Sequence, residues 1–204
     1  MVGRPEPEPA FEDIYARAGD NLGAIPWASL APHPALLAWL DGQPDGGERD
    51  ALVVGCGLGD DAEAVSRHGY RVTAFDIAPT AIARCRERFP HSQVEYRVAD
   101  LFALPGAWRA RFDLIVEVRT LQSLAPRQRA DAVAAIAATV APGGVVWVRC
   151  LAQDAAEPAT TRPWPVTRDE LRAFEHAGLR ELAFREEPPT AGRGRSFTVV
   201  YRRN

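Results

Sequence analysis

The chain has 204 residues, the size of one domain with a sizeable hydrophobic core. A formal net charge of −3 at pH 7 argues against general nucleic-acid binding, because no excess of positive charge exists to displace counterions from phosphates. All 24 basic residues are arginine, which excludes Schiff-base lysines and the phosphate-binding loop with its lysine. The three cysteines are far apart and odd in number, so we expect neither a disulfide framework nor a metal site.

The N-terminal segment combines a tail, two short helices and a loop. Residues 1–9 are rich in Pro and Glu, so we expect a disordered tail without a signal sequence. Apolar residues at helical spacing from Phe11 predict a short helix, and a second helix is predicted over about 35–40. A Pro-interrupted loop that carries Trp27 joins the two helices, and we treat 10–42 as one helical segment.

Apolar runs and amphipathic segments alternate through the middle of the chain, as in a parallel sheet with helical crossovers. The predicted strands are about 51–55, 71–76, 94–98, 113–118 and 145–150, and the predicted helices are about 60–68, 79–89 and 127–140.

The pattern changes after residue 150. A polar, Pro-rich loop over 152–166 leads to Thr167-Arg-Asp-Glu, which has the form of a helix-starting capping box. Two final strands, about 179–186 and 195–202, flank a turn and are predicted to pair as a hairpin. We therefore predict one α/β domain over 10–204, with a doubly wound, Rossmann-like sheet of seven mostly parallel strands and an antiparallel C-terminal hairpin. No stretch is long enough to span a membrane, and we expect a cytoplasmic protein.

Three alternating glycines follow the first predicted strand, at Gly55, Gly57 and Gly59. A strand, a glycine turn and a helix start let a ligand approach backbone N–H groups with no Cβ in the way. The exposed N–H groups and the helix dipole favour an anionic group. The spacing is G-x-G-x-G, whereas the dinucleotide fingerprint is G-x-G-x-x-G, so the turn alone does not identify the ligand.

Acidic residues end the second and third predicted strands. Asp76 comes roughly 20 residues after the glycine turn, where an acidic residue accepts hydrogen bonds from ribose hydroxyls. Asp100 could accept the exocyclic amine of an adenine while Leu101 covers a ring face. Each carboxylate could also serve only as a helix cap or a loop residue. Together with the glycine turn, both lie at the sheet edge where open α/β sheets bind ligands.

The series Val-Gly-Cys-Gly-Leu-Gly, Phe-Asp-Ile-Ala, Ala-Asp-Leu, Phe-Asp-Leu-Ile-Val-Glu and Ala-Pro-Gly-Gly, over about 50–150, resembles the class I S-adenosylmethionine (SAM)-dependent methyltransferases. The resemblance implies SAM as the cofactor and an antiparallel seventh strand. The cofactor-binding residues that it implies are Trp27, Gly55, Cys56, Gly57, Asp76, Ile77, Asp100, Leu101 and Glu117.

The flanks resemble one branch of that family. Ile-Pro-Trp at 25–27 with Pro-His-Pro at 32–34, and Pro-Trp-Pro-Val-Thr-Arg-Asp-Glu-Leu at 163–171, look like the small-molecule thiol, halide and thiopurine methyltransferases. In that group an N-terminal Trp segment folds over bound SAM, so Trp27 is a candidate lid residue. The alternative for Trp27 is simple packing against the sheet.

The sequence departs from the family pattern at two places. Members often carry an acidic residue two positions before the first glycine, where this chain has Val53, and Glu117 is a candidate to supply the missing carboxylate. The region after the fourth strand also lacks an Asn/Asp-Pro-Pro-Tyr type sequence, which is associated with methylation of nucleic-acid or amide nitrogens. We therefore expect a small-molecule methyl acceptor and no nucleic-acid partner.

Glu117, Arg119 and Gln122 lie at and beyond the end of the fourth strand, where the transferred methyl group should point, and are the candidate catalytic residues. Glu117 could contact the SAM amino group, and Arg119 could orient a polar acceptor. The alternative is an ion pair on one strand face. The expected reaction is direct displacement at the methyl carbon by an S, O or N lone pair.

Two other functions stay open at this stage. A nicotinamide-dependent oxidoreductase would need a hydride-transfer acid/base pair that the sequence does not display. A catalytically silent SAM-binding partner of a larger enzyme would share every cofactor motif. The sequence leaves both a monomer and a homodimer open.

Overall fold

A computed structural model describes residues 11–154, 162–189 and 194–204 of the chain. The strands are β1 (Asp50–Val54), β2 (Arg71–Asp76), β3 (Glu95–Val98), β4 (Phe112–Val118), β5 (Val140–Leu151), β6 (Leu179–Glu187) and β7 (Ser196–Arg203). The helices are α1 (Phe11–Ala18), α2 (Pro34–Asp41), α3 (Asp60–Arg67), α4 (Pro79–Arg88), α5 (Arg129–Thr139), α6 (Arg168–Leu171) and α7 (Ala173–His176).

The seven strands form one sheet in the order β3-β2-β1-β4-β5-β7-β6. Strands β1 to β5 run parallel to one another, and β7 pairs antiparallel with both β5 and β6. The predicted fold class is confirmed, including the antiparallel C-terminal hairpin. The carboxyl ends of β1 to β4 meet at one edge, because parallel strands all end on the same side of a sheet.

Helices cover both faces of the sheet, which is why the central strands are apolar on both sides. One face packs against α2, α3 and α4 and includes Val53 and Trp147, and we call it the α2–α4 face. The other face packs against α5, α6 and α7 and includes Val54 and Ile115, and we call it the α5–α7 face. Successive residues of a strand alternate between these faces, so a side chain's position in its strand fixes the layer it enters.

The structure refines several predicted boundaries. The helix predicted from about residue 127 begins at Arg129, after a 3₁₀ turn over Pro126–Gln128. The capping box at Thr167 is present, but the helix predicted after it is two short helices that meet at Arg172. The predicted tail at 1–9 and part of the predicted loop at 152–166 lie outside the described residues.

A buried arginine holds the segment after β5 against the sheet. Arg129 donates to the carbonyl oxygens of Leu121, Trp164 and Pro165 and forms an ion pair with Glu170, at 2.5 Å between Nη1 and Oε1. These bonds tie α5 and α6 to the turn that follows β4. Within the described ranges, no helix has the length and apolar character needed to cross a membrane.

Candidate active site

The glycine turn after β1 has the backbone conformation that its sequence predicts. Gly55, Gly57 and Gly59 all have positive φ values, of 58°, 55° and 88°. A Cβ on Gly55 would lie 2.4 Å from Thr120 Oγ1, and one on Gly59 would lie 2.6 Å from the Tyr96 hydroxyl. Both positions therefore require glycine for close packing as well as for φ. A Cβ on Gly57 would be 3.3 Å from the Tyr15 hydroxyl, so this glycine faces the N-terminal segment.

Asp76 ends β2 and is bound to the glycine turn. Its Oδ2 accepts the Gly57 N–H at 3.0 Å, and its Oδ1 accepts the Ala78 N–H at 3.0 Å. Burial raises the pKa of Asp76, and the backbone N–H donors oppose that rise. A carboxylate offers about four acceptor positions, so each oxygen retains capacity for a ligand hydroxyl.

Asp100 lies beside Asp76 at the sheet edge, because the Ala99 N–H donates to the Asp76 carbonyl oxygen at 3.1 Å. Its carboxylate is exposed, and Oδ1 accepts the Phe102 N–H. We expected Leu101 to cover an adenine ring, but its side chain packs into the core of the α5–α7 face. The exposed apolar surface next to Asp100 comes instead from Ile77, 53% exposed, and Phe102, 45% exposed.

The N-terminal segment folds over the glycine turn. The Trp27 indole N–H donates to the Tyr15 hydroxyl at 2.9 Å, and the two rings meet edge to face. Tyr15 is buried, and that burial, with the Asp76 charge, raises its pKa strongly. Trp27 is only partly buried and also packs against Phe11. Tyr15 lies on the short helix that was predicted from Phe11, but its position over Gly57 was not predicted.

Two further contacts hold this segment in place. Glu12 accepts hydrogen bonds from the backbone N–H and the hydroxyl of Thr80, so α1 caps the start of α4. The Arg162 guanidinium lies 4.6 Å from the centre of the Phe11 ring and 5.7 Å from that of the Trp164 ring. The N-terminal segment and the segment after β5 therefore meet across the carboxyl edge of the sheet.

Glu117 is wholly buried, in contrast to the expected ligand contact. Its Oε1 accepts the N–H groups of Thr120 at 2.6 Å and Leu121 at 3.0 Å, whereas Oε2 is buried without a hydrogen-bond partner among the residues that the structure describes. Burial raises the pKa of Glu117 to about 7. Glu117 enters the α5–α7 face and Val53 the opposite one, so Glu117 does not occupy the place of the carboxylate missing at Val53. In this conformation it braces the turn that carries Arg119.

Gln122 is also buried, and it forms hydrogen bonds within the protein. Its side-chain Oε1 accepts the Leu151 N–H at 2.6 Å, and its carbonyl oxygen accepts the Trp164 N–H at 2.7 Å. Arg119 differs, because it is only partly buried and has a φ of +65°, a backbone conformation that is strained for arginine. Of the three candidate catalytic residues, Glu117 and Gln122 are buried, and Arg119 is the one that is partly exposed.

Two polar residues that were not among the predicted site residues, Asp61 and Arg149, lie near Arg119 on the α2–α4 face. Asp61, in the first turn of α3, accepts the His33 N–H at 2.6 Å, and the Arg119 charge acts on its carboxylate. Arg149 on β5 lies close by, because its carbonyl oxygen accepts the Arg119 N–H at 2.8 Å. The Arg149 guanidinium pairs with Glu187 at 2.6 Å. Acidic residues are common in the first turn of a helix because they interact favourably with the helix dipole. The sequence alone therefore gave no sign that Asp61 belongs to the site.

The sequence and the fold both resemble known methyltransferases. Residues 51–144 match the family described as a methyltransferase domain. The ubiquinone biosynthesis O-methyltransferase of Azotobacter vinelandii is 31% identical over 117 residues, which are 56% of this chain and 50% of that protein. The chain thus spans about half the length of the curated relatives that it matches.

Two solved structures share the fold over nearly the whole chain. The Burkholderia thailandensis 1,6-didemethyltoxoflavin-N1-methyltransferase, with bound S-adenosylhomocysteine, has a TM-score of 0.71 at 21% identity and covers 98% of this chain and 93% of its own. The TehB-like SAM-dependent methyltransferase from Corynebacterium glutamicum has a TM-score of 0.67 at 24% identity, with coverage of 97% and 100%. Residues 51–144 therefore match a methyltransferase domain, and the chain as a whole has the fold of these two solved structures.

Proposed function

We propose that this protein is a SAM-dependent methyltransferase that acts on a small molecule. The observation that carries the proposal is the alignment of the glycine turn, Asp76 and Asp100 along the carboxyl ends of β1, β2 and β3. The lid formed by Tyr15 and Trp27 over that turn supports it.

The proposed cofactor lies across the strand ends. The methionine end rests on Gly55, Cys56 and Gly57, where backbone N–H groups meet its carboxylate. Asp76 accepts the ribose hydroxyls, and Asp100 accepts the adenine amine. Ile77 and Phe102 offer the apolar surface that an adenine ring needs. The methyl-bearing sulfonium then lies toward the end of β4, near Arg119.

The proposed reaction is direct displacement. An acceptor lone pair attacks the methyl carbon, and the sulfur takes the electron pair of the broken C–S bond. Because a sulfonium is already an activated leaving group, the protein contributes alignment and exclusion of water, worth potentially several kcal/mol. Glu117 and Gln122 fix the turn that carries Arg119, and Trp27 closes the cofactor side.

The acceptor class rests on two unequal clues. The curated relatives are named as ubiquinone biosynthesis O-methyltransferases, which favours an oxygen atom as the methyl acceptor, although their match covers only about half of their length. The flanks at 25–34 and 163–171 resemble the thiol, halide and thiopurine branch, which favours sulfur. Both clues point to a small, ionisable acceptor.

A methyl-transfer screen tests the proposal. The purified chain is incubated with SAM labelled in the methyl group and with panels of phenols, thiols and amines of matched size. We expect transfer to at least one panel, and Asp76→Ala in parallel should abolish most of it at subsaturating SAM. Uniformly negative panels would favour a catalytically silent SAM-binding partner.

A further inference from the structure

Asp61 occupies an unusual position for a residue in the first turn of a helix. Its neighbour Asp60 forms a largely buried ion pair, with both oxygens 2.8 Å from nitrogens of the Arg88 guanidinium. Asp61 instead points toward α2, where Oδ1 accepts the His33 N–H at 2.6 Å. The carboxylate is therefore oriented by the protein backbone and remains partly exposed at the edge of the site.

Groups from three elements act on this carboxylate, two of them charged side chains and one a backbone N–H group. Asp60 lies on the same helix, His33 begins α2, and Arg119 follows β4. Asp60 and burial act against the ionised form of Asp61, whereas the His33 N–H and the Arg119 charge favour it. Burial is the largest of these effects and raises the pKa of Asp61 to about 6. At neutral pH the group is thus still ionised, yet it is a stronger base than an ordinary aspartate.

The position of Asp61 relative to the cofactor turn is equally specific. Gly55 packs directly against Thr120, the residue after Arg119, so the glycine turn and the β4 turn are in contact. Asp76 and Asp100 lie on the β2 and β3 side of that contact. Asp61 and Arg119 lie on the α2–α4 side, next to the proposed methyl-bearing end.

We propose that Asp61 takes the proton from the methyl acceptor and that Arg119 stabilises the negative charge which forms on that molecule. This inference rests on the proposed function and narrows its substrate class to acceptors whose O–H, S–H or N–H must lose a proton during transfer. His33 is a positioning residue, because its backbone N–H orients the Asp61 carboxylate.

The proposed step balances without a further reactant. The acceptor's X–H bond breaks as its proton moves to Asp61, and the X lone pair forms the new bond to the methyl carbon. The C–S bond breaks with its electrons on sulfur, which leaves neutral S-adenosylhomocysteine. The protonated Asp61 then releases the proton to water after the methylated product departs.

The test compares acceptors that differ in acidity but not in size. Wild type, Asp61→Asn and Asp60→Asn are assayed with a phenol series, from nitrophenols that are ionised at the assay pH to alkyl phenols with a pKa near that of tyrosine, about 10. In Asp61→Asn the amide keeps an oxygen for the His33 N–H but cannot take a proton, so the local structure is retained. Matched thiophenols and alkanethiols replace the phenols if the wild type prefers sulfur.

We expect Asp61→Asn to lose about 100-fold in kcat with the alkyl phenols and less than about threefold with the nitrophenols. Wild-type rates with alkyl phenols should rise with pH through about 6, the pKa of Asp61. Asp60→Asn should affect all acceptors equally. An equal loss across the series in Asp61→Asn overturns the inference alone, whereas a wild type inactive with every acceptor refutes the proposed function and this inference with it.

Discussion

Replacing Glu117 with glutamine should make the protein's stability less dependent on pH. Burial raises the pKa of Glu117 from its ordinary value of 4.5 to about 7, so the folded state binds this proton more tightly than the unfolded state. The stabilisation that comes from this protonation is complete below the pKa of Glu117 in the unfolded state, and it is lost as the pH rises through the pKa of Glu117 in the folded state. At about 1.4 kcal/mol for each pKa unit, the loss between pH 4.5 and pH 8 is about 3 kcal/mol.

Glutamine suits this test because it preserves the turn. Its side-chain oxygen can still accept the Thr120 and Leu121 N–H groups, and no proton is gained or lost. The measurement is urea unfolding at several pH values from 4.5 to 8, with the slope m compared to confirm that both proteins unfold alike. Wild type should lose about 3 kcal/mol relative to Glu117→Gln over that range. Asp61 titrates in the same window but is common to both proteins.

A matched control is Glu95→Gln. Glu95 is largely exposed, and its partner Arg97 lowers its pKa. Wild type should therefore show no comparable loss of stability relative to Glu95→Gln as the pH rises from 4.5 to 8. A difference between wild type and Glu117→Gln that stays constant from pH 4.5 to 8 would refute the account of Glu117 as a buried carboxyl that is costly to ionise.

Three other substitutions test separate parts of the site. Asp76→Ala should weaken S-adenosylhomocysteine binding at least about tenfold, because charge-assisted hydrogen bonds are lost, and unchanged affinity in calorimetry would exclude the ribose contact. Trp27→Phe removes the bond to Tyr15 and should raise the dissociation constant about fivefold, measured by the same titration, with an unchanged melting temperature as the sign of intact folding. Arg129→Leu should lower the free energy of unfolding in urea by about 3 kcal/mol, since Glu170 loses its partner and buried carbonyls lose their donor, and a loss below about 1 kcal/mol would contradict that role.

The sequence predicted the parts of the molecule that depend on neighbouring residues. Gly55, Gly57 and Gly59 follow a buried strand and precede a helix, so their turn could be identified from local pattern. Asp76 and Asp100 were predicted to lie together, because parallel strands all end on one edge. The C-terminal hairpin followed from two strands separated by a turn.

Contacts between distant segments could not be predicted in the same way. Side chains alternate along a strand, but this alternation does not tell which face of the sheet a residue at the strand end enters. Glu117 was expected to contact the ligand, whereas it lies in the core. Tyr15 reaches Gly57 only because α1 docks on α4 through Glu12. Asp61 meets His33 only because α2 packs beside α3. These positions depend on how helices pack on the sheet, which short sequence patterns do not encode.

Titration calorimetry of the wild type with S-adenosylhomocysteine and, separately, with NAD tests the cofactor assignment most directly. The protein should bind S-adenosylhomocysteine at one site per chain, formed by Asp76, Asp100 and the glycine turn at Gly57, and it should not bind NAD. Binding of NAD with no binding of S-adenosylhomocysteine would contradict the methyltransferase assignment and favour a nicotinamide-dependent oxidoreductase.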